Sequence, residues 1–220
     1  MNLFIMGAPG SGKGTFSSRL KDQYQIDHIS TGDIFRKNIK ENTALGQEAK
    51  TYMDKGLLVP DELVNKMVLD TLRNLPADSK GYLLDGYPRT LEQAKAFDEM
   101  TKGTPQEVET VLYLDVPNEV LNKRILGRRT CPNCGEIYNI YFKPTKVENV
   151  CDHCQTELTY RADDNEESLA VRLGEYDRAT RPVIEHYQDQ NKVVLVDANR
   201  DFEAIWTDIS ANLNSLNSLH

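Results

Sequence analysis

The nine residues Gly7-Ala8-Pro9-Gly10-Ser11-Gly12-Lys13-Gly14-Thr15 constrain this chain more than any other feature. They lie between an apolar run, Leu3 to Met6, and a segment whose Phe16 and Leu20 fall four apart, as on one helix face. Strand, glycine-rich turn and helix in that order make a phosphate-binding loop. Glycine lets the backbone wind tightly enough for several N–H groups to converge on phosphate oxygens. The helix N-terminus adds partial positive charge, and Lys13 reaches toward the β and γ phosphates of a nucleotide. The hydroxyl expected directly after the lysine is displaced by one position: Gly14 stands there and Thr15 follows. The match to the general pattern is therefore imperfect, and the match to a narrower subgroup is close.

The first apolar run is one of five. Ile26 to Ile29, Tyr82 to Leu84, Val111 to Leu114 and Val193 to Val196 follow, each separated from the next by helical stretches. From Pro60, Asp61 is placed to cap a helix that carries Leu63, Val64, Met67, Val68 and Leu72 on one 3.6-period face. Phe202, Ile205, Trp206, Ile209 and Leu213 repeat the pattern near the C-terminus. Continuous apolar strands with helices between them predict an α/β fold, a doubly wound five-stranded parallel sheet covered on both faces. Two stretches break the alternation. Residues 30–60 hold two short helical patterns ending at Gly56 and Pro60, and residues 127–164 hold all four cysteines among turn and strand signals. At 220 residues the chain has room for one core with small insertions, since single domains commonly run to about 250 residues.

A net charge of −8 argues against a general nucleic-acid or anionic-membrane surface, so a phosphate site must be basic locally. No apolar run approaches the roughly 18 residues of a membrane span, and Met1 to Gly7 lacks the pattern of a leader. A cytoplasmic protein is expected. Local positive charge is available. Ser30-Thr31-Gly32-Asp33 with Arg36, and Asp85-Gly86-Tyr87-Pro88-Arg89 with Gln93, lie just past the second and third apolar runs, the edge where open α/β sheets bind ligands. Arg124, Arg128 and Arg129 follow the fourth run, and Arg161 and Arg172 flank Asp163 and Asp164. Singly each arginine reads as a solvated charge; together they supply what phosphates require.

With these motifs the chain resembles the adenylate kinase family, in its zinc-containing, long-lid bacterial form, from Gly7 to the helix beginning near Asp201. The resemblance implies a P-loop NTPase core (1–29, 61–126 and 165–220), an AMP-binding helical insertion (30–60) and a zinc-bearing lid (127–164). It implies the reversible reaction ATP + AMP = 2 ADP, magnesium carried with ATP, and a monomer. By similarity Gly10 to Thr15 bind ATP phosphates. Thr31 and Gln93 contact the adenine of AMP, with Leu57, Leu58 and Val59 lining its pocket and Gly86, Tyr87 and Pro88 beside it. Arg36 and Arg89 hold the AMP phosphate. Arg124 and Arg128 stand on the ATP side, Arg161 and Arg172 bridge the transferring and accepting phosphates, and Asp85 orients magnesium through water. Ile137 and Tyr138 contact the donor nucleotide from the lid, and Arg200 lies near its adenine. Three positions depart from the family: Phe16 replaces a usual glutamine, a change expected to affect helix packing; Tyr87 replaces phenylalanine and is expected to add a hydroxyl beside the AMP pocket; Ala198-Asn199-Arg200 replaces a turn that often contains glycine.

Cys131-Pro132-Asn133-Cys134 and Cys151-Asp152-His153-Cys154 are two C-x-x-C pairs with sixteen residues between them, and they use every cysteine in the chain. Each pair suits a tight turn aiming two sulfurs at one point, and four thiolates leave no open position on a zinc ion, so such a site is structural. Two disulfides, which a cytosolic compartment disfavours, and iron bound by four thiolates are the alternatives. His153 reads as a bystander. Another nucleoside monophosphate kinase is the nearest functional alternative, opposed by Thr31 and Gln93. A nucleotide sensor or zinc-ribbon nucleic-acid binder is the next, opposed by the acidic chain and the intact Lys/Arg set.

Overall fold

A computed structural model describes residues 1–53, 59–160 and 164–217. Its centre is a parallel sheet of five strands: β1 (Asn2–Gly7), β2 (Asp27–Ser30), β3 (Tyr82–Asp85), β4 (Thr110–Asp115) and, numbered last in chain order, β7 (Val193–Asp197). The spatial order is β2-β3-β1-β4-β7, which matches the predicted doubly wound sheet. The two-residue period of β1 explains its coverage on both faces. Phe4 and Met6 point into one core with α4 (Asp61–Arg73), α5 (Leu91–Thr101) and α8 (Arg181–Gln188). Leu3 and Ile5 point into a second core with α1 (Lys13–Tyr24), α6 (Asn118–Leu126) and α9 (Phe202–Asn217). Phe4, at the centre of the first core, meets Phe97 edge-on with ring centroids 5.3 Å apart, and Tyr187 at 5.7 Å.

The predicted apolar face of α4 is buried at all five positions, and Asn65 and Leu69 are buried with it. Its start differs from expectation. Pro60 occupies the N-cap position, and Asp61 turns its carboxylate to α5, accepting from Thr90 Oγ1 at 3.1 Å and Gln93 Nε2 at 2.8 Å. A proline caps here because its missing N–H costs nothing at a helix start.

The 30–60 stretch forms α2 (Thr31–Lys40) and α3 (Ala44–Met53), packed on one another through Gly46. A Cβ at Gly46 would stand 2.3 Å from the Asn38 carbonyl oxygen, so only glycine permits that approach. The 127–164 stretch forms an antiparallel ribbon, β5 (Arg128–Thr130) with β6 (Ile137–Asn139), and a small apolar cluster of Cys131, Tyr138, Cys151 and Leu158. Beyond it lie α7 (Glu166–Glu175) and a π-helical turn, Tyr176–Thr180, that runs into α8. Among the described residues no helix is long and apolar enough to cross a membrane.

Candidate active site

The carboxyl edge of the sheet gathers many of the predicted residues, among them Lys13, Asp85 and Arg89. Gly7 ends β1 with φ of 156°, and a Cβ there would lie 2.4 Å from Ser11 Oγ and 2.9 Å from the Leu114 carbonyl oxygen. Gly10 and Gly12 adopt φ of 84° and 97°, the left-handed conformations that let the loop curl back and launch α1. Ser11 is wholly buried beneath the loop, whereas Gly14 and Thr15 are exposed. The Lys13 ammonium lies across the loop, donating to the Gly7 carbonyl at 2.7 Å and the Ala8 carbonyl at 3.2 Å. Burial drives its pKa down to about 8; Arg89 and Arg172 push the same way and the Asp85 carboxylate opposes them. Lys13, Asp85, Arg89 and Arg172 thus share one electrostatic neighbourhood.

Ser30 ends β2 beside Asp85 in register and caps α2, its hydroxyl accepting from the Asp33 N–H at 3.1 Å. The same Ser30 hydroxyl, followed by Arg36 at 2.5 Å, holds the Asp33 carboxyl below the usual carboxylate range. Thr31 donates to the Gly86 carbonyl at 3.1 Å, and Arg89 Nε donates to that same oxygen at 2.9 Å. Gln93 is committed on both sides, Oε1 accepting from the Arg89 N–H at 2.7 Å and Nε2 donating to Asp61. The peptide between Tyr87 and Pro88 is cis. Thr31, Gly86, Arg89 and Gln93 therefore form one connected patch where β3 meets α5.

The second side of the loop carries Arg124 and Arg128. Arg124 donates to the Ala198 carbonyl at 2.8 Å and the Ser11 carbonyl at 3.4 Å, tying α6 to the loop and to the turn after β7; burial lowers its pKa. Arg128 grips Asp164 with Nε to Oδ2 at 2.8 Å and Nη2 to Oδ1 at 2.5 Å, and Arg172 Nη1 stands 3.7 Å from the same carboxylate. Arg200, on that turn, donates to the Asp197 carbonyl and pairs with Asp208, which raises its pKa.

Two expectations need correction. The Tyr87 ring is buried in the first core and its hydroxyl donates to Asn65 Oδ1, so it adds no hydroxyl to a nucleotide pocket. Tyr138 is 3% exposed, its hydroxyl accepting from the Asp152 N–H at 3.0 Å and standing 3.5 Å from Cys151 Sγ. The Tyr138 side chain belongs to the cysteine cluster, whereas its neighbour Ile137 is 49% exposed. Phe16 does serve packing, stacked on Phe202 with ring centroids 5.0 Å apart and planes at 12°. Val59 packs against the first core; Leu57, Leu58 and Arg161, with Gly56 and Asp163, lie outside the described residues. The reading of the sequence missed Asn65, although one polar residue on the apolar face of α4 is a usable signal. It also read Asp61 as a cap when its partners lie thirty residues on.

The four cysteine sulfurs all lie within 4.8 Å of one another, and all four cysteines are free thiols. Each pair sits on a matching turn: Gly135 N–H donates to the Cys131 carbonyl at 3.0 Å, and Gln155 N–H to the Cys151 carbonyl at 2.9 Å. Gly135 and Gln155 take φ of 76° and 59° to close these turns. Two sulfur contacts join different pairs, Cys131 with Cys154 at 3.3 Å and Cys134 with Cys151 at 3.6 Å. A tetrahedral zinc with metal–sulfur bonds of about 2.3 Å needs sulfur–sulfur edges of roughly 3.8 Å, so the donor set fits. His153 is exposed and outside the group.

With that geometry in hand, the sequence model described as adenylate kinase matches residues 5–192. The chain belongs to the adenylate kinase family. Its relatives named adenylate kinase include that of Thermoanaerobacter sp. (strain X514), 46% identical over 213 residues, 97% of this chain and 98% of the relative. That of Clostridium novyi (strain NT) is 44% identical with the same coverage of both chains. That of Archaeoglobus fulgidus is 44% identical over 218 residues, 99% of this chain and the whole of the relative. The family's activity is that of this chain: it is a phosphotransferase that interconverts ATP + AMP and two ADP.

Proposed function

We propose the following division of labour for that reaction. Lys13 and the N–H groups of Gly10 to Thr15 hold the donor phosphates, with Arg124, Arg128, the backbone at Ile137 and Tyr138, and Arg200 on the donor side. Thr31, Arg36, Leu57 to Val59, Gly86 to Arg89 and Gln93 hold AMP. Arg161 and Arg172 stand between the phosphates. The observation that carries this reading is the convergence at the sheet edge of Lys13, bonded across the loop to the Gly7 and Ala8 carbonyls, with Asp85 at the end of β3, Arg89 in the turn that follows it and Arg172 of α7, all of which act on the Lys13 ammonium.

The acceptor is a phosphate oxygen of AMP, already anionic at neutral pH because a phosphomonoester's second pKa is near ~6. No general base is required. The barrier lies in bringing two polyanions together and in the charge that spreads over the equatorial oxygens, so fixed cations on an in-line path are the catalytic apparatus. Lys13 neutralises donor phosphate, Arg36 and Arg89 orient the acceptor, and Arg128 and Arg172 meet the transferring group. Asp85, a partly exposed carboxylate at a strand end, suits magnesium, which is commonly held by one or two carboxylates with substrate phosphates. When bound with ATP that ion adds charge neutralisation.

Water competes as acceptor, so residues 30–60 and 127–164 act as covers around the core, the second stiffened by zinc on Cys131, Cys134, Cys151 and Cys154. The enzyme works as a cytoplasmic monomer. Steady-state kinetics with each nucleotide varied in turn test the division. Arg36→Ala is expected to raise KM for AMP and Arg124→Ala to raise KM for ATP, each by about tenfold or more, as for a lost charge-assisted hydrogen bond. Both variants shifting the same nucleotide contradicts it.

A further inference from the structure

We infer that Asn139 is a positioning residue for the donor nucleotide: its carboxamide splices the cysteine-bearing ribbon to the end of α6 and fixes the turn between Arg124 and Arg128. The inference rests on the donor-side reading of Arg124.

The last carbonyls of a helix have no intrahelical partner and must find one elsewhere. At the end of α6 the Lys123 carbonyl accepts from the Gly127 N–H at 3.0 Å, and the Arg124 carbonyl takes its partner from a strand. Asn139 Nδ2 donates to the Arg124 carbonyl at 2.9 Å and to the Lys123 carbonyl at 3.4 Å. The other end of the same amide works on the ribbon, Oδ1 accepting from the Tyr141 N–H at 2.9 Å and the Phe142 N–H at 3.3 Å. The Asn139 backbone exchanges bonds with Lys143 at 3.0 and 2.9 Å, and Ile140 N–H donates to the Gly127 carbonyl at 2.9 Å. One side chain thus joins a helix end, a strand and a turn, its NH2 donating at one end while its oxygen accepts at the other.

Gly127 is shaped to admit this joint. A Cβ there would stand 2.7 Å from Asn139 Oδ1, from the Lys123 carbonyl oxygen and from Tyr141 Cδ2. Arg128 follows Gly127 directly and pairs with Asn139 in register. Releasing the amide therefore frees the segment between two donor-side arginines, while the patch of Thr31, Gly86, Arg89 and Gln93 lies on the other side of the loop and keeps its bonds.

Asn139→Asp separates positioning from folding. It is isosteric, keeps the acceptor for Tyr141 and Phe142, and sets a carboxylate against two carbonyls. In the zinc-loaded protein it is expected to raise KM for ATP about tenfold, the effect of losing the partly buried hydrogen bond to the Arg124 carbonyl and setting a carboxylate against it, with KM for AMP within about twofold. Asn139→Ala is expected to give the same split. ATP binding by calorimetry without AMP is expected to weaken to the same degree. Unchanged ATP affinity in both variants overturns the inference, as does a fall in both affinities that tracks a lower melting temperature. Arg124→Ala, measured alongside, tells the two readings apart. If it weakens ATP while Asn139→Asp does not, the splice is wrong. If neither variant affects ATP, the donor-side reading fails and takes the splice with it.

Discussion

Asp164 holds Arg128 in a two-point fork, with bonds of 2.8 and 2.5 Å and a carboxylate only 1% exposed. The pair closes the base of the cysteine-bearing segment, because Arg128 opens β5 and Asp164 stands just before α7. Breaking one side of a buried pair leaves an uncompensated charge and costs about 3–5 kcal/mol. Asp164→Asn is expected to lower the melting temperature accordingly and to reduce kcat by releasing Arg128. Arg128→Lys keeps charge without the fork and is expected to fall between the two. Thermal denaturation and steady-state turnover of the three proteins check this.

Lys13 sets a pH dependence. Its folded pKa of about 8 lies below the ordinary 10.5, so between those values the unfolded chain binds more protons than the folded one. Stability contributed by this group therefore rises from about pH 8 to 10.5, and the cost of burying its charge is in full force below pH 8. Activity moves the other way. The free enzyme loses its phosphate-binding cation above pH about 8, so kcat/KM for ATP is expected to decline there, whereas bound polyphosphate favours the charged form and shifts the decline in kcat to higher pH. Profiles of kcat/KM and kcat from pH 6 to 10 that decline at the same pH contradict this.

Phe16 and Phe202 join the phosphate-loop helix to the last helix, and Arg19 lies over both Phe202 and Trp206, 5.1 and 4.6 Å from the ring centres. Phe16→Ala is expected to cost about 3–5 kcal/mol, the range for truncating a buried phenylalanine. KM for both nucleotides should remain within about twofold below the melting transition, since the ring stacks on Phe202 of α9 and turns only an edge toward Gly12 of the loop. Denaturant unfolding with parallel kinetics checks both parts.

Removing metal from the four-cysteine site is expected to lower the melting temperature, because thiolates gathered around one point lose the ion that joins them. Cys131→Ser should do the same without chelator, and zinc should restore the wild type but not the variant. Calorimetric scans with and without chelator, alongside metal analysis, decide it: identical melting of metal-free and zinc-loaded protein contradicts a structural role.

Strands β1, β3 and β4 were legible because each is a continuous apolar run between helical periods, a pattern that burial on both faces imposes; the outer strands carry it less fully, β2 burying only Ile29 and β7 only Val196. The phosphate loop was legible because its glycines and Lys13 lie next to one another in sequence. What could not be read was the direction in which individual polar groups turn. Tyr87, Tyr138 and Asp61 each carry a polar atom whose partner, Asn65, Asp152 or Gln93, lies on another segment, and no local period encodes such a pairing. Asn139 is the same kind of case: its bonds reach fifteen and sixteen residues back to Arg124 and Lys123, and nothing around it in the sequence marks it. The cysteines escape this limit only because tetrahedral coordination demands a recurring spacing.

Acceptor turnover tests the central claim most directly. The purified protein with magnesium-ATP is mixed separately with AMP, GMP, CMP and UMP, and the diphosphates are resolved by anion exchange. Rapid consumption of AMP alone, giving two ADP per event and abolished in Lys13→Ala, is the predicted result. Preference for another monophosphate, or equal turnover by Lys13→Ala, would contradict the account.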